Sequence, residues 1–256
     1  MGLRAWGIAI KLGRKYYGPI MEKTRKTIGV LGGMGPEATA MFFSKLVEAD
    51  TAGRDQDHIH IVVECDPSIP DRTAHLVSGG ADPLPAMIRS TERLEAAGAE
   101  ICGIPCMTAH AFLPRLRAAT RLRFVSALEV LAERLDSEHP SIRKLGILAT
   151  LGSRQARIYE DNLPGFEILW PSAEEHSSLV MEAIYGKEGI KAGNRGEKPK
   201  ALLLQAAESL RRTGAQAIVA GCTEVPLAIS QEDLDVLFLD PMDILARALV
   251  DATRSG

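Results

Sequence analysis

Two cysteines stand where an apolar run gives way to polar residues: Cys106 in GIPCMTAH and Cys222 in GCTEVPL. A thiol titrates near pH ~8.5, so modest tuning leaves one sulphur as thiolate and another as thiol near neutrality. Such a pair, held on opposite sides of a carbon, can take a proton from one face and return one to the other. Thr108 and Thr223 follow the two cysteines closely, placed either to hydrogen-bond a substrate carboxylate or to cap a following helix.

Positioning two equivalent thiols calls for two equivalent supports, and the chain matches itself in three places. IGVLGGMGP (Ile28 to Pro36) lies over LGILATLGS, GAEICGIPCMT over GAQAIVAGCTE, and FVSALEVLAERL over FLDPMDILARAL, at offsets of 117, 116 and 114 residues. The matches pair Gly29 with Gly146, Ala99 with Ala215, and Cys106 with Cys222. Three matches in order at nearly constant spacing indicate two related lobes. Within each, apolar runs such as TIGVLGG and HIHIVVEC alternate with helical patterns such as Glu37 to Asp50 and Pro83 to Ala97. That rhythm predicts an α/β fold of two pseudo-symmetric lobes, each a parallel sheet flanked by helices, with the active site in the cleft between them. Ligands of open parallel sheets bind beyond the carboxyl ends of the strands, where both cysteines fall, each before a helix N-terminus that favours an anion.

The expected division places residues 27–125 and 238–256 in the first lobe and 126–237 in the second. Residues 1–26 form an extension. Its first twenty residues carry Arg4, Lys11, Arg14 and Lys15 with no acid, as in a targeting peptide but without a clear cleavage site, and Met21 opens the segment before the first strand, so an upstream start or a loose, disordered extension is the preferred reading.

Composition narrows the partners. The formal charge of -3 among 256 residues provides no basic field for nucleic acid, and no apolar stretch approaches the roughly 20 residues that span a bilayer. A small molecule is the expected partner. Four widely spaced cysteines fit a reducing, cytoplasmic compartment, with Cys65 and Cys102 expected as small core residues.

The motifs GVLGGMGPEAT, IPDRT, GIPCMTAH, GCTEVPL and FLDPMDILARA, taken together and in this order, resemble the aspartate/glutamate racemase family, the cofactor-independent amino-acid racemases. The resemblance covers nearly the whole chain from Thr27 onward. It implies Cys106 and Cys222 as the catalytic acid/base pair, no cofactor or metal, an acidic amino acid as substrate, and leaves a homodimer open. It further implies an aspartate-type branch. There Arg72 of IPDRT meets the side-chain carboxylate, Lys191 in the basic, glycine-rich stretch YGKEGIKAGNRGEKPK is a second carboxylate-binding residue, and Glu224 replaces the histidine usual in glutamate racemases. Met34, Thr73, Met107, Thr108 and Thr223 complete the expected substrate-binding set. Met107 stands where the family usually has asparagine and cannot donate a hydrogen bond. The stretch holding Lys191 also reads as a mobile loop able to close over an anion.

Other readings compete. Gly33, Met34 and Gly35 open a G-x-G-x-x-A pattern, with Glu64 and Asp66 as ribose-binding acids, as in an NAD(P)-dependent oxidoreductase. Cys102, Cys106 and His110 recur at zinc-like spacing but lack a fourth ligand. His110 is expected to be structural. A two-lobed amino-acid binding protein without turnover would need no thiols.

Overall fold

The computed structural model describes residues 25–254. Of the expected extension at 1–26, residues 1–24 lie outside the described residues, while Arg25 joins the fold through an ion pair with Asp50 at 2.7 Å. Among the described residues, eight strands form two four-stranded parallel sheets. β1 (Ile28–Gly32), β2 (Ile61–Cys65), β3 (Ile101–Gly103) and β4 (Arg123–Phe124) lie in the order β2-β1-β3-β4. β5 (Lys144–Ile147), β6 (Glu167–Leu169), β7 (Ala217–Val219) and β8 (Leu237–Leu239) repeat it as β6-β5-β7-β8. The helices of the first half are α1 (Pro36–Ala49), α2 (Arg72–Ser78), α3 (Leu84–Ala96), α4 (Leu113–Ala119) and α5 (Ala127–Glu138). Those of the second are α6 (Leu151–Gln155), α7 (Ile158–Asn162), α8 (Ala173–Glu175), α9 (Glu182–Tyr185), α10 (Glu197–Arg212) and α11 (Pro241–Ala252). No helix among the described residues is long and apolar enough to cross a membrane.

Alternation along the central strands splits the core into layers. Ile28 and Val30 of β1 join Leu145 and Ile147 of β5 in one cluster shared by both sheets, while Leu31 and Leu148 face separate outer clusters. The aligned glycines explain why the repeat is visible. A Cβ on Gly29 would stand 3.0 Å from the Ala99 Cβ, and one on Gly146 3.0 Å from the Ala215 Cβ and 2.8 Å from Ile218. Each central strand thus lets the turn after its covering helix press against it, and both partners of the contact are small.

Three local expectations shift. β2 begins at Ile61 rather than His58, because Asp50 takes the Ile59 amide at 2.8 Å and the His58 ring at 3.2 Å to close the end of α1. Cys65 is exposed rather than in the core, since β2 is an edge strand; Cys102 is fully buried on β3. The expected return to the first lobe at residue 238 comes later, for Phe238 and Leu239 pair with Ile218 and Val219 of the second sheet. From Pro241, α11 then packs on α1, α5 and β3, close enough that a Cβ on Gly103 would stand 2.5 Å from Leu249.

Candidate active site

In each sheet the chain turns outward in opposite directions from the central pair, β1/β3 in one and β5/β7 in the other, and such a switch leaves a crevice at the strands' carboxyl ends. The loops leaving those four strands meet there. Cys106 follows β3 and Cys222 follows β7, each three residues past the strand. Met34 follows β1 and Thr150 follows β5. All ten residues singled out in the sequence line one space: the two thiols, Met34, Arg72, Thr73, Met107, Thr108, Lys191, Thr223 and Glu224.

Buried contacts hold each thiol's loop. Behind Cys106, the Ala127 amide donates to His110 Nε2 at 3.1 Å, which leaves the proton on Nδ1 to donate to the Cys106 carbonyl at 3.1 Å. Burial pushes this imidazole down to about 4, so it stays neutral at physiological pH. With both ring nitrogens bonded to backbone, His110 is structural. Behind Cys222, the buried Tyr159 hydroxyl donates to the Gly221 carbonyl at 3.0 Å, and a Cβ on Gly221 would collide with it at 2.7 Å.

Arg72 is 7 % exposed. Its Nη1 donates to the Ile69 and Pro70 carbonyls at 3.2 and 3.0 Å, and its Nη2 to the Met34 carbonyl at 2.9 Å. Nε is buried without a partner. Three backbone acceptors thus fix the guanidinium and leave Nε–H and a second Nη2 hydrogen to bind an anion side-on. Burial opposes its charge, but the adjoining Cys106 and Asp71 outweigh that and hold its pKa above the ordinary value.

Across the space, the Cys222 thiol donates to Glu224 Oε2 at 2.8 Å, Thr223 donates to the same oxygen at 3.2 Å, and Lys191 Nζ donates to Oε1 at 2.6 Å. Burial, reinforced by the Glu224 charge, raises Cys222 well above the usual thiol range. Lys191 also lies over the Tyr185 ring, 5.5 Å from its centroid. The basic stretch is therefore folded onto the site, and Arg195 extends it across the cleft in an ion pair with Glu37 of α1.

Several outcomes differ from the sequence reading. Neither threonine caps a helix: Thr108 shares hydrogen bonds with Thr150 and Ser153 at 3.0 and 2.9 Å, and Thr223 serves Glu224. The helix expected after Cys222 is a single 3-10 turn, Val225–Leu227, too short to lend a helix dipole, whereas Cys106 begins a 3-10 run that passes into α4. Met107 is 1 % exposed and packs into the shared core beside the site. Thr150, Ser153 and Tyr185 were missed. Thr73 donates to Thr150 at 3.1 Å, and the Tyr185 hydroxyl donates to Thr73 at 3.3 Å and Asp71 at 3.1 Å, which completes a hydroxyl chain between the lobes. The repeat held the signal for two of them, since Thr150 aligns with Gly33 and Ser153 with Pro36.

The glycine loop after β1 is spent on internal contacts. Gly33, at φ 87°, has its amide bonded to Thr39 at 2.9 Å, and a Cβ there would meet the Asp66 backbone at 2.4 Å. Glu64, one of the two candidate ribose ligands, is paired with Arg93 at 2.6 Å.

The profile of the Asp/Glu/hydantoin racemase family matches residues 31–249. The chain belongs to this family. It is an isomerase, not the oxidoreductase that the Gly33 loop suggested. The Picrophilus torridus aspartate racemase structure superposes with a TM-score of 0.76 at 25 % identity, over 89 % of this chain and 94 % of that one. An aspartate racemase homologue from Pyrococcus horikoshii gives 0.70 at 25 % identity, over 89 % and 99 %. The broad specificity amino-acid racemase RacX of Bacillus subtilis is 24 % identical over 87 % of this chain and 96 % of its own.

Proposed function

We propose that this racemase inverts the α-carbon of an acidic amino acid, aspartate foremost, by proton transfer between Cys106 and Cys222. The observation that carries the reading is the pair of thiols at equivalent strand ends, one from each half of the repeat, lining a single space with Arg72. One thiolate removes the α-proton, the electron pair stays on the flattened α-carbon, and the opposite thiol protonates the other face. Thiol chemistry of this kind calls on no cofactor. Arg72, with a free side-on edge, is the ligand for a side-chain carboxylate, and Lys191 adds a second positive charge. The aspartate racemase of Picrophilus torridus among its structural neighbours supports aspartate as first choice. A wider amino-acid range is the second reading, favoured by Met107, which borders the space but carries no amide to fix an acidic substrate.

Incubating single enantiomers of acidic and neutral amino acids in D2O tests this by following α-proton exchange and optical rotation together. The expected result is deuterium at the α-carbon and loss of rotation, fastest with aspartate. Exchange with none of them overturns the reading.

A further inference from the structure

The two thiols have neighbours of opposite charge. Cys106 shares its side of the space with the Arg72 guanidinium, whereas Cys222 is 2.8 Å from Glu224 Oε2. A sulphur and a carboxylate oxygen at that separation share one proton, and the carboxylate accepts from two further donors, Thr223 on Oε2 and Lys191 on Oε1. Glu224 is 5 % exposed, so little water screens its charge.

We infer that Glu224 is a positioning residue that holds Cys222 in its protonated form, so the resting enzyme carries Cys222 as the acid and Cys106 as the base. This rests on the two-thiol reading and goes beyond the substrate-binding role expected of Glu224. In the forward sense of this resting form, the Cys106 thiolate gains the α-proton and becomes a thiol. The Cys222 S–H bond breaks toward the opposite face of the α-carbon, which leaves a thiolate beside an ionised carboxylate. The reverse reaction must start from that less favourable pair. Glu224 therefore makes the two directions of one racemisation respond differently to pH.

The other groups facing Cys222 set the sign. Lys191 opposes Glu224, stabilising the thiolate. Tyr159 and Tyr185 face both sulphurs, and burial pushes both phenols up, so they remain neutral. Cys106 completes the set, with Arg72 on its own side.

The test reads Cys222 directly, without substrate, as the thiolate absorbance near 240 nm of a Cys65→Ser/Cys106→Ser chain minus that of the same chain with Cys222→Ser. Adding Glu224→Gln is expected to move the titration down by about one pH unit, which is about tenfold more thiolate on the acid side of the midpoint. Glu224→Asp, which keeps the charge, is expected to stay near the parent, and Lys191→Met to move the titration up. In the otherwise native enzyme, Glu224→Gln shifts the pH profile of kcat/KM for the direction that uses Cys222 as base to lower pH. Coincident titrations of the Gln and Asp variants, or movement of Glu224→Gln and Lys191→Met in the same direction, overturn the inference. So does a Glu224→Gln effect confined to KM, the mark of a residue that only binds the substrate's ammonium group. Should Glu224→Gln not fold by circular dichroism, an unmoved or lowered titration in Lys191→Met is decisive against it. A chain that shows the titration shifts yet exchanges no amino acid sinks the racemase reading instead.

Discussion

The two halves of the site share a scaffold and differ in charge. Both thiols sit three residues past the third strand of a sheet with the same strand order, and both lobes use a small-residue contact at the central strand. Around Cys106 lie a fixed guanidinium and the apolar Met107; around Cys222 lie a threonine, a carboxylate and a lysine. Duplicated backbone geometry places two thiols at equivalent strand ends. In the proposed reaction one of them is charged and the other neutral at any moment, a difference for which the unlike side chains offer a source.

The sharpest way to break the comparison is to remove one thiol at a time. Cys106→Ser and Cys222→Ser are each expected to lower racemisation on the order of 10³-fold, within the span attributed to general acid-base groups. Each single variant keeps one base and can exchange one enantiomer without inverting it. By the family resemblance, Cys106→Ser retains exchange of the L-isomer and Cys222→Ser that of the D-isomer. Exchange of the same enantiomer by both, measured by proton resonance in D2O, would defeat the division of labour.

Arg72 tests the charge difference from the first-lobe side. Arg72→Leu is expected to lower kcat/KM for aspartate about 100-fold, the worth of a charge-assisted bidentate contact, and to change that for alanine only a few-fold. Equal losses on both substrates would make Arg72 a brace for the Met34 loop alone.

The buried histidines sharpen the comparison at the level of stability. His110 and His176 each tie down a carbonyl at the mouth of their own lobe, that of Cys106 and that of Ala149. Burial holds His110 at about 4, below the roughly 6.5 of the unfolded chain, so the unfolded state takes up the proton first as pH falls. Its contribution is complete above pH ~6.5 and is lost between there and pH ~4, about 3 kcal/mol over that window. Urea unfolding at both ends of the range should show wild type losing this much more than His110→Asn, in which His176 still titrates.

The smallest effect separates the aligned glycines. Gly146→Ala would crowd the Ala215 Cβ, the Leu210 Cβ and Ile218, whereas Gly29→Ala tightens chiefly on the Ala99 Cβ. Expected losses are about 2 kcal/mol for Gly146→Ala and about 1 kcal/mol for Gly29→Ala, read as a lower Tm for the former. A reversed order would mean that the second lobe relaxes more easily than its contacts suggest.

Much of the scaffold was legible in the chain because its signals are local. The pattern expected to give a helix from Glu37 to Asp50 gives one at Pro36–Ala49, and that from Pro83 to Ala97 gives Leu84–Ala96, since an apolar stripe of helical period needs no distant information. β2 came out shorter because Asp50 sequesters His58 and Ile59, a competition invisible to an alternation count.

The site divides in the same way. The thiols, Thr108 and Thr223 were readable from residue type beside a strand end, and Arg72 only through the family resemblance of IPDRT. What the site's threonines bond to was not, because Thr73 meets Thr150 across 77 positions and Tyr185 meets Thr73 across 112. By itself, the sequence determined a duplicated α/β chain with a cysteine at the matching place in each half, since strand, turn and small-residue contact are specified within a few residues. Only the tertiary structure decided that Lys191 and Tyr185 fold onto the cleft, that the Cys222 thiol donates to Glu224 rather than to open water, and that Arg72 Nε stays without a partner. Those outcomes depend on how two sheets dock through a shared core, and a side-chain contact between distant segments is fixed by that docking to within an ångström or not at all.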